Sequence, residues 1–523
     1  SYIKEYGSLY MANPASNIAT INSDTPATSA DITEKIKQRR SNELVIGLCG
    51  AIGSGVKSLK GTLESQLNQQ GYVVEHIRLS ELISKNSDDP EATQNLIGYN
   101  RYTKLQDLGD KLRENYRNSI MAELAVKEIS ISREIQFGKD RVDDGTALKN
   151  TKKAAYIINQ IKHPDEIELL HQVYRNNFYL LGLLRTEEER KQNLKDELIP
   201  DEQIASLIER DRKSTDKHGQ QVEKCLHKSD YFIKNIDDED QIVASVNRFI
   251  QLIHGSARIT PKIDEVGMYT AFSASLKSAC LSRQVGAAIT DDEGTILATG
   301  CNDVPKFGGG LYNADSLSDK RCFNNGKQCH NDKHKRLLQQ EITKILSEKG
   351  ITEAPLLASE IIENSKAKSL IEYSRAIHAE MDAITSLARN SSYNTLHKTL
   401  FCTTYPCHVC ARHIVSAGIK RVVYIEPYEK SLALQLHGDS ICHANSNAET
   451  PSKVVFENFE GVSPKRYAKF FGYNQKRKDD RNGEAIDYTV VDSSHVDPQY
   501  LDSYVEYETK VVDEIPEELN EEA

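Results

Sequence analysis

Residues 44–49, Leu-Val-Ile-Gly-Leu-Cys, form a near-continuous apolar run, and a glycine-rich turn follows at once. A strand of this kind is buried on both faces, as a parallel strand inside a helix-covered sheet would be. Further apolar runs at 72–77, 155–161, 178–184 and 231–236 predict strands, and the segments 58–69 and 101–136 predict helices. Strands alternating with helices predict an α/β fold, a doubly wound parallel sheet over residues 43–254. A boundary is expected near His254, Gly255 and Ser256.

A second α/β unit is expected over 261–474. Strands at 284–290 and 295–301 flank Asp291, Asp292, Glu293 and Gly294, a hairpin signal. Helices are expected at 268–280, 376–388 and 407–417, and strands at 399–403, 421–425 and 453–456. Residues 303–372 read as a long polar insertion with one helix near 333–349. Residues 1–42 lack an apolar period and are expected to be unstructured. Residues 475–523 read as a polar and acidic tail. The last eighteen carry eight acids and one lysine, so disorder is expected there.

Composition narrows the functional classes. A net charge of −11 argues against indiscriminate nucleic-acid binding through bulk charge. No apolar run approaches the roughly 20 residues of a membrane span. Ten cysteines in 523 residues are too dilute for a disulfide scaffold. Their CxxC-type clustering points to metal in a reducing compartment, and a cytoplasmic location is expected.

The strongest chemical signal is the pair His378-Ala379-Glu380 and Pro406-Cys407-His408-Val409-Cys410, each at the start of an expected helix. One imidazole and two thiolates make three zinc ligands and leave a fourth position for water. Glu380, two residues from a ligand, would reach that water without binding the metal. This H-x-E…P-C-x-x-C spacing is the signature of zinc nucleobase deaminases. A structural zinc knuckle or a CxxC redox pair are the alternatives, although a structural site would be closed by a fourth Cys or His.

A second constellation follows the first apolar run. Gly50, Gly53, Ser54, Gly55, Lys57 and Ser58 lie between a buried strand and a helix, where backbone N–H groups form an anion nest. Val56 separates Gly55 from Lys57, so the lysine is one residue out of the G-x-x-x-x-G-K-[ST] register. A nucleoside triphosphate is the expected ligand, and a structural glycine turn is the alternative.

Residues 261–474 resemble the deoxycytidylate deaminase branch of the cytidine deaminase superfamily. Beyond the two zinc motifs, the resemblance lies in Ser282 to Ala287, in Gly300-Cys301-Asn302-Asp303-Val304-Pro305, and in Gly461 to Pro464 with Phe470 and Phe471. It implies an α/β/α deaminase fold, catalytic Zn2+ on His378, Cys407 and Cys410, proton shuttling by Glu380, and substrate contacts from Asn302, Arg283 and Ala379. It also implies a closed homo-oligomer, with a hexamer favoured. Cys301 departs from the family, which usually has an aromatic residue before the asparagine.

Residues 43–254 resemble P-loop nucleotide and dephospho-coenzyme A kinases, through the glycine loop and the segments 157–166, 183–190 and 229–235. Asn159 stands where those kinases have an acid, so binding and regulation are expected rather than phosphoryl transfer. The two resemblances in this order are those of bacterial anti-phage dCTP/dCMP deaminases. That class converts dCTP and dCMP to dUTP and dUMP, starves phage of deoxycytidine nucleotides, and is restrained in some members by a small RNA.

Two weaker signals remain. Cys322, Cys329, His330 and His334 in the insertion are a candidate second, structural zinc site, with incidental cysteines the alternative. Lys465, Arg466, Lys469, Lys476, Arg477, Lys478 and Arg481, interleaved with aromatic residues, are a basic stretch read as solvated surface, with RNA or phosphate binding the alternative.

Overall fold

In the computed structural model, alternate residues of the first apolar run go to opposite faces of a sheet. Val45 and Cys49 enter one core cluster, and Leu44, Ile46 and Leu48 enter another. The structure describes residues 41–137, 152–212, 218–234, 238–256, 258–389, 392–428, 431–444, 452–472, 476–486, 488–491, 493, 508–509, 511–513 and 515–516. The expectation for residues 1–42 lies outside these, except for residues 41 and 42.

The first sheet is built from β1 (Glu43–Gly50), β2 (Val73–Arg78), β3 (Ala154–Asn159), β4 (Phe178–Leu183) and β5 (Tyr231–Ile233). These run parallel in the order β2-β3-β1-β4-β5. Long helices cover them: α1 (Val56–Gln69), α2 (Gly98–Asn115), α3 (Ile120–Phe137), α4 (Pro164–Tyr174), α5 (Glu187–Asp196), α6 (Asp201–Arg212) and α7 (Glu239–Ile253). The parallel, helix-covered sheet is the architecture expected from the alternation of apolar runs.

The second sheet begins behind α8 (Ile263–Ser275) with the hairpin β6 (Gly286–Thr290) and β7 (Ile296–Cys301). The insertion holds α9 (His330–Glu348) and α10 (Ala354–Asn364), so it contains two long helices where the pattern had predicted one. The α10 signal was the proline in its first turn, Pro355, which reads equally well as a loop. Then follow α11 (Ala379–Ala388), β8 (Thr399–Thr404), α12 (His408–Ser416), β9 (Arg421–Glu426), β10 (Ile441–His443) and β11 (Val454–Asn458). The order is β10-β11-β9-β8-β6-β7, antiparallel at the β6 pairings and parallel elsewhere.

The two sheets share a core. Phe401, Val423 and Phe459 sit in the same buried cluster as Tyr156 and Phe232. A short strand, β12 (Gly461–Val462), leaves the second unit and pairs antiparallel with β5. Arg466 donates to Asp230 at 2.5 Å, Lys465 donates to the His227 carbonyl and Lys469 to Asn176. Three of the seven residues in the basic stretch read as solvated surface thus tie the two units together.

The tail corrects the expectation of disorder at its described residues. Glu508 is buried and accepts from Arg133 through both oxygens, and Ile515 joins the core. An acid-rich composition did not reveal that one glutamate meets a buried arginine far away in sequence. Among the described residues, no helix is long and apolar enough to cross a membrane.

Candidate active site

Two helix starts face one cleft. His378 is the N-cap residue of α11 and Cys407 the N-cap residue of α12. The Cys410 N–H donates to the Cys407 sulfur at 3.4 Å. Nδ1 of His378 lies 3.4 Å from the Cys407 sulfur and 3.3 Å from the Cys410 sulfur. All three ligand atoms lie within 4.8 Å of one another.

Close packing sets this geometry. A Cβ on Gly300 would fall 2.2 Å from the Ala379 carbonyl oxygen and 2.4 Å from the Ala383 nitrogen, so only glycine lets α11 lie this close to β7. The Cys301 N–H donates to Asp382 of α11, and the Ile377 N–H donates to the Asp303 carbonyl. At the other motif, the Tyr405 N–H donates to the Glu426 carbonyl at 2.7 Å, carrying the β8–β9 pairing up to Pro406.

The electrostatics favour metal ligation. The Cys407 thiol is pushed down to about 4, chiefly by its hydrogen bond with Cys410 and also by His378. Hydrogen bonding to Cys407 pushes the Cys410 thiol up in turn. Two helix N-termini add partial positive charge where thiolates would sit. Glu380 is buried, its carboxyl is raised by burial, and it is within hydrogen-bonding reach of the thiols of Cys402 and Cys410. An imidazole, two thiols and a carboxylate outside the ligand set fit a catalytic zinc ion with an open position.

The cleft has a volume of about 280 Å³, and Arg283, Asn302, His378, Ala379, Glu380 and Cys407 all line it. Asn302 accepts from the Val285 N–H at 2.7 Å and donates to the Arg283 carbonyl at 2.8 Å. One amide proton and one lone pair of its side chain remain for a ligand. The Arg283 guanidinium lies 5.5 Å from the centre of the Tyr428 ring. Tyr428 and Cys402 were missed by the sequence reading, because neither belongs to a spaced motif. Asn331 and Asp332 at the start of α9 also reach the cleft wall, so the insertion contributes to the site.

The second metal set does not assemble. Among the described residues, only His378, Cys407 and Cys410 gather as three or more ligand atoms within 4.8 Å. His334 instead stacks on Tyr373 with ring centres 4.9 Å apart.

The glycine loop lies between β1 and α1. Gly53 and Gly55 adopt φ values of 80° and 82°, with Gly55 capping α1. Lys57 and Ser58 are exposed on the first turn of α1. Lys162 instead reaches the loop, donating to the Gly50 carbonyl at 3.0 Å and to Asp211 at 2.7 Å.

Two helix-borne motifs on a mixed sheet, converging on one imidazole, two thiols and a buried glutamate, define the class of zinc-dependent base deaminases. Residues 261–426 match the model of the cytidine and deoxycytidylate deaminase zinc-binding region. The chain is 34% identical to the deoxycytidylate deaminase of Enterobacteria phage T4 over 161 residues, 31% of this chain and 76% of the phage protein. It is 33% identical to the phage T2 counterpart over 161 residues, 31% of this chain and 78% of that protein. A solved dCMP deaminase from cyanophage S-TIM5, in complex with dCMP and dUMP, is 22% identical and aligns with 38% of this chain and 99% of its own, at a TM-score of 0.23. The chain belongs to the deoxycytidylate deaminase family.

Proposed function

We propose that the chain hydrolyses free deoxycytidine nucleotides, dCTP as well as dCMP, to the uracil nucleotides, and that residues 43–254 form a nucleotide-binding regulatory P-loop unit. The observation that carries the reading is the His378, Cys407 and Cys410 cluster with Glu380 buried beside it, in a cleft walled by Arg283 and Asn302.

His378, Cys407 and Cys410 would hold the ion. Zinc, when bound there, supplies a water acidified enough to attack at neutral pH. Glu380 takes one proton from the attacking water and delivers it to N3 of the cytosine, then carries the second, from the new C4 hydroxyl, to the exocyclic amino group, which leaves as ammonia. The C4–O bond forms as N3 is protonated, and the C4–N bond breaks afterwards as the C4 hydroxyl becomes the carbonyl, with no redox change. Asn302, with its remaining amide proton and lone pair, holds the sugar. Arg283 supplies the positive charge of the cleft, suited to an anionic substrate.

The regulatory reading rests on the glycine loop after β1, on the parallel order β2-β3-β1-β4-β5, and on the resemblance to P-loop kinases. Asn159 in place of an acid favours binding over phosphoryl transfer. Depletion of the deoxycytidine nucleotide pool during phage infection and restraint by a small RNA follow the resemblance to bacterial anti-phage dCTP/dCMP deaminases, and a cytoplasmic location follows from the clustered cysteines. Incubating the purified chain with dCMP, dCTP and a cytosine-containing single-stranded DNA tests the reading. Uracil nucleotides from both free substrates support it. Conversion of dCMP alone overturns the dCTP assignment, and conversion of the DNA alone overturns the free-nucleotide reading.

A further inference from the structure

The glycine loop is closed by the protein's own carboxylate. Asp211, near the end of α6, accepts from the Ile52 N–H at 2.7 Å through one oxygen and from Lys162 Nζ at 2.7 Å through the other. Both side chains are withdrawn from water, Asp211 to 2% and Lys162 to 10% exposure. Lys162 also donates to the Gly50 carbonyl, and Asn193 of α5 donates to the Gly53 carbonyl at 2.8 Å. The Arg190 backbone lies over Gly53 so closely that a Cβ there would fall 2.6 Å from the Arg190 oxygen. Ile52 is packed among Leu194, Ile199, Ile204, Leu207 and Ile208. Helices α5 and α6 therefore sit as a lid on the loop.

Three features make this a self-occupied anion site and not only a structural ion pair. A carboxylate and a phosphate accept the same donors, a main-chain N–H at a glycine loop and an ammonium. Asp211 is one residue from the C-terminal end of α6, where the helix dipole opposes an acid, so its place there depends on Ile52 and Lys162. Ser54 Oγ, in the same loop, is buried and has no hydrogen-bond partner among the described residues. A group in the loop would satisfy it.

We propose that Asp211 is an internal competitor for the phosphate position of the glycine loop, that Lys162 and not Lys57 is the cation of that site, and that the polyphosphate tail of a nucleoside triphosphate enters by displacing Asp211. This rests on the reading of residues 50–58 as a nucleotide phosphate loop. Entry requires α5 and α6 to lift. Leu198 between them, at φ 63° and exposed to solvent, is the strained link at which they would turn.

The test is calorimetric titration of the full chain with sodium tripolyphosphate and with ATP. Asp211→Asn should bind both about tenfold more tightly than the unaltered chain. Lys162→Met should bind about tenfold more weakly, and Lys57→Ala and the surface control Glu209→Gln should stay within about threefold. Unfolding midpoints and dCMP turnover report that each variant is folded. As a second measurement, hydrogen exchange of the unaltered chain should quicken in α6 amides on adding tripolyphosphate. A folded Asp211→Asn with unchanged or weaker binding, or protection of α6 by the ligand, overturns the competitor. Loss of binding in Lys57→Ala with retention in Lys162→Met overturns the cation. If Gly55→Asp alone abolishes binding, the phosphate-loop reading survives those failures. If neither the unaltered chain nor Asp211→Asn binds either probe, that reading falls and the proposal with it.

Discussion

Glu188, in the first turn of α5, lies 3.6 Å from Nδ1 of His443 on β10, joining the lid over the glycine loop to the sheet that carries the zinc motifs. The contact with His443 pulls the Glu188 carboxyl down to about 2. His443 in turn meets Tyr405 edge-on, with ring centres 6.2 Å apart, and Tyr405 lines the cleft next to Pro406. The helix proposed to lift from the glycine loop is thus in contact with the sheet of the zinc motifs, a path along which nucleotide binding would bias the cleft. Glu188→Gln should leave dCMP turnover without added nucleotide within about twofold, and at least halve the change in turnover that ATP produces. An ATP response equal to that of the unaltered chain would sink this route.

Gly300 predicts a second effect at a distance. Alanine there must displace α11, which carries His378 at its start. Gly300→Ala should lower stability by about 1–3 kcal/mol, the usual cost of overpacking. It should also weaken zinc retention against a chelator, because the imidazole moves with the helix. Unfolding and chelator competition measure the two effects separately, and unchanged zinc retention would separate Gly300 from the site.

Acid should loosen the first unit through His254. Its Nε2 meets the Tyr72 hydroxyl at 2.7 Å and its Nδ1 the Ile250 carbonyl at 2.7 Å, and burial pulls its pKa down from 6.5 to about 4. Between these values the unfolded chain binds the extra proton. The contribution is therefore full above about pH 6.5 and is lost as the pH falls towards about 4, to a total of about 3 kcal/mol. Urea unfolding between pH 7.5 and 5 should show this slope, and His254→Gln should flatten it. An equal slope in the variant would contradict the assignment.

Assembly is the fourth expectation. Leu337 of α9 and Leu356 and Ile361 of α10 are exposed, and so are Phe307 and Leu317 in the same insertion. Exposed apolar side chains within one insertion suit a second copy of the chain in a closed homo-oligomer. Light scattering should give a multiple of the 58.8 kDa chain, six subunits being favoured. A mass of one chain in an active sample would rule out obligatory assembly.

Much of this was legible because it is local. The apolar run in β1, the glycine turn after it, and the two zinc motifs at helix starts each lie within a dozen residues, where periodicity and spacing carry information. What was missed is long-range. Asp211 meets Ile52 across 159 positions, Glu508 meets Arg133 across 375, and β12 crosses to a sheet formed earlier in the chain. Lys57 drew attention by its place beside the glycines, yet its side chain is exposed, and the lysine that meets the loop, Lys162, lies over a hundred positions away and donates to the Gly50 carbonyl. Cys322, Cys329, His330 and His334 have plausible spacing but no shared centre, since spacing along a loop does not fix where its side chains meet.

The central claim is that His378, Cys407 and Cys410 hold a zinc ion on which deamination by Glu380 depends. It is tested most directly by measuring zinc content and dUMP formation from dCMP together, in the unaltered chain and in Glu380→Gln, before chelation, after it and after zinc is restored. The account predicts one zinc per site, loss of dUMP formation with the metal and its return on adding zinc. It also predicts a Glu380→Gln chain that keeps its zinc but is slower by at least about 100-fold. An undiminished rate in zinc-free protein, or in zinc-loaded Glu380→Gln, would contradict it.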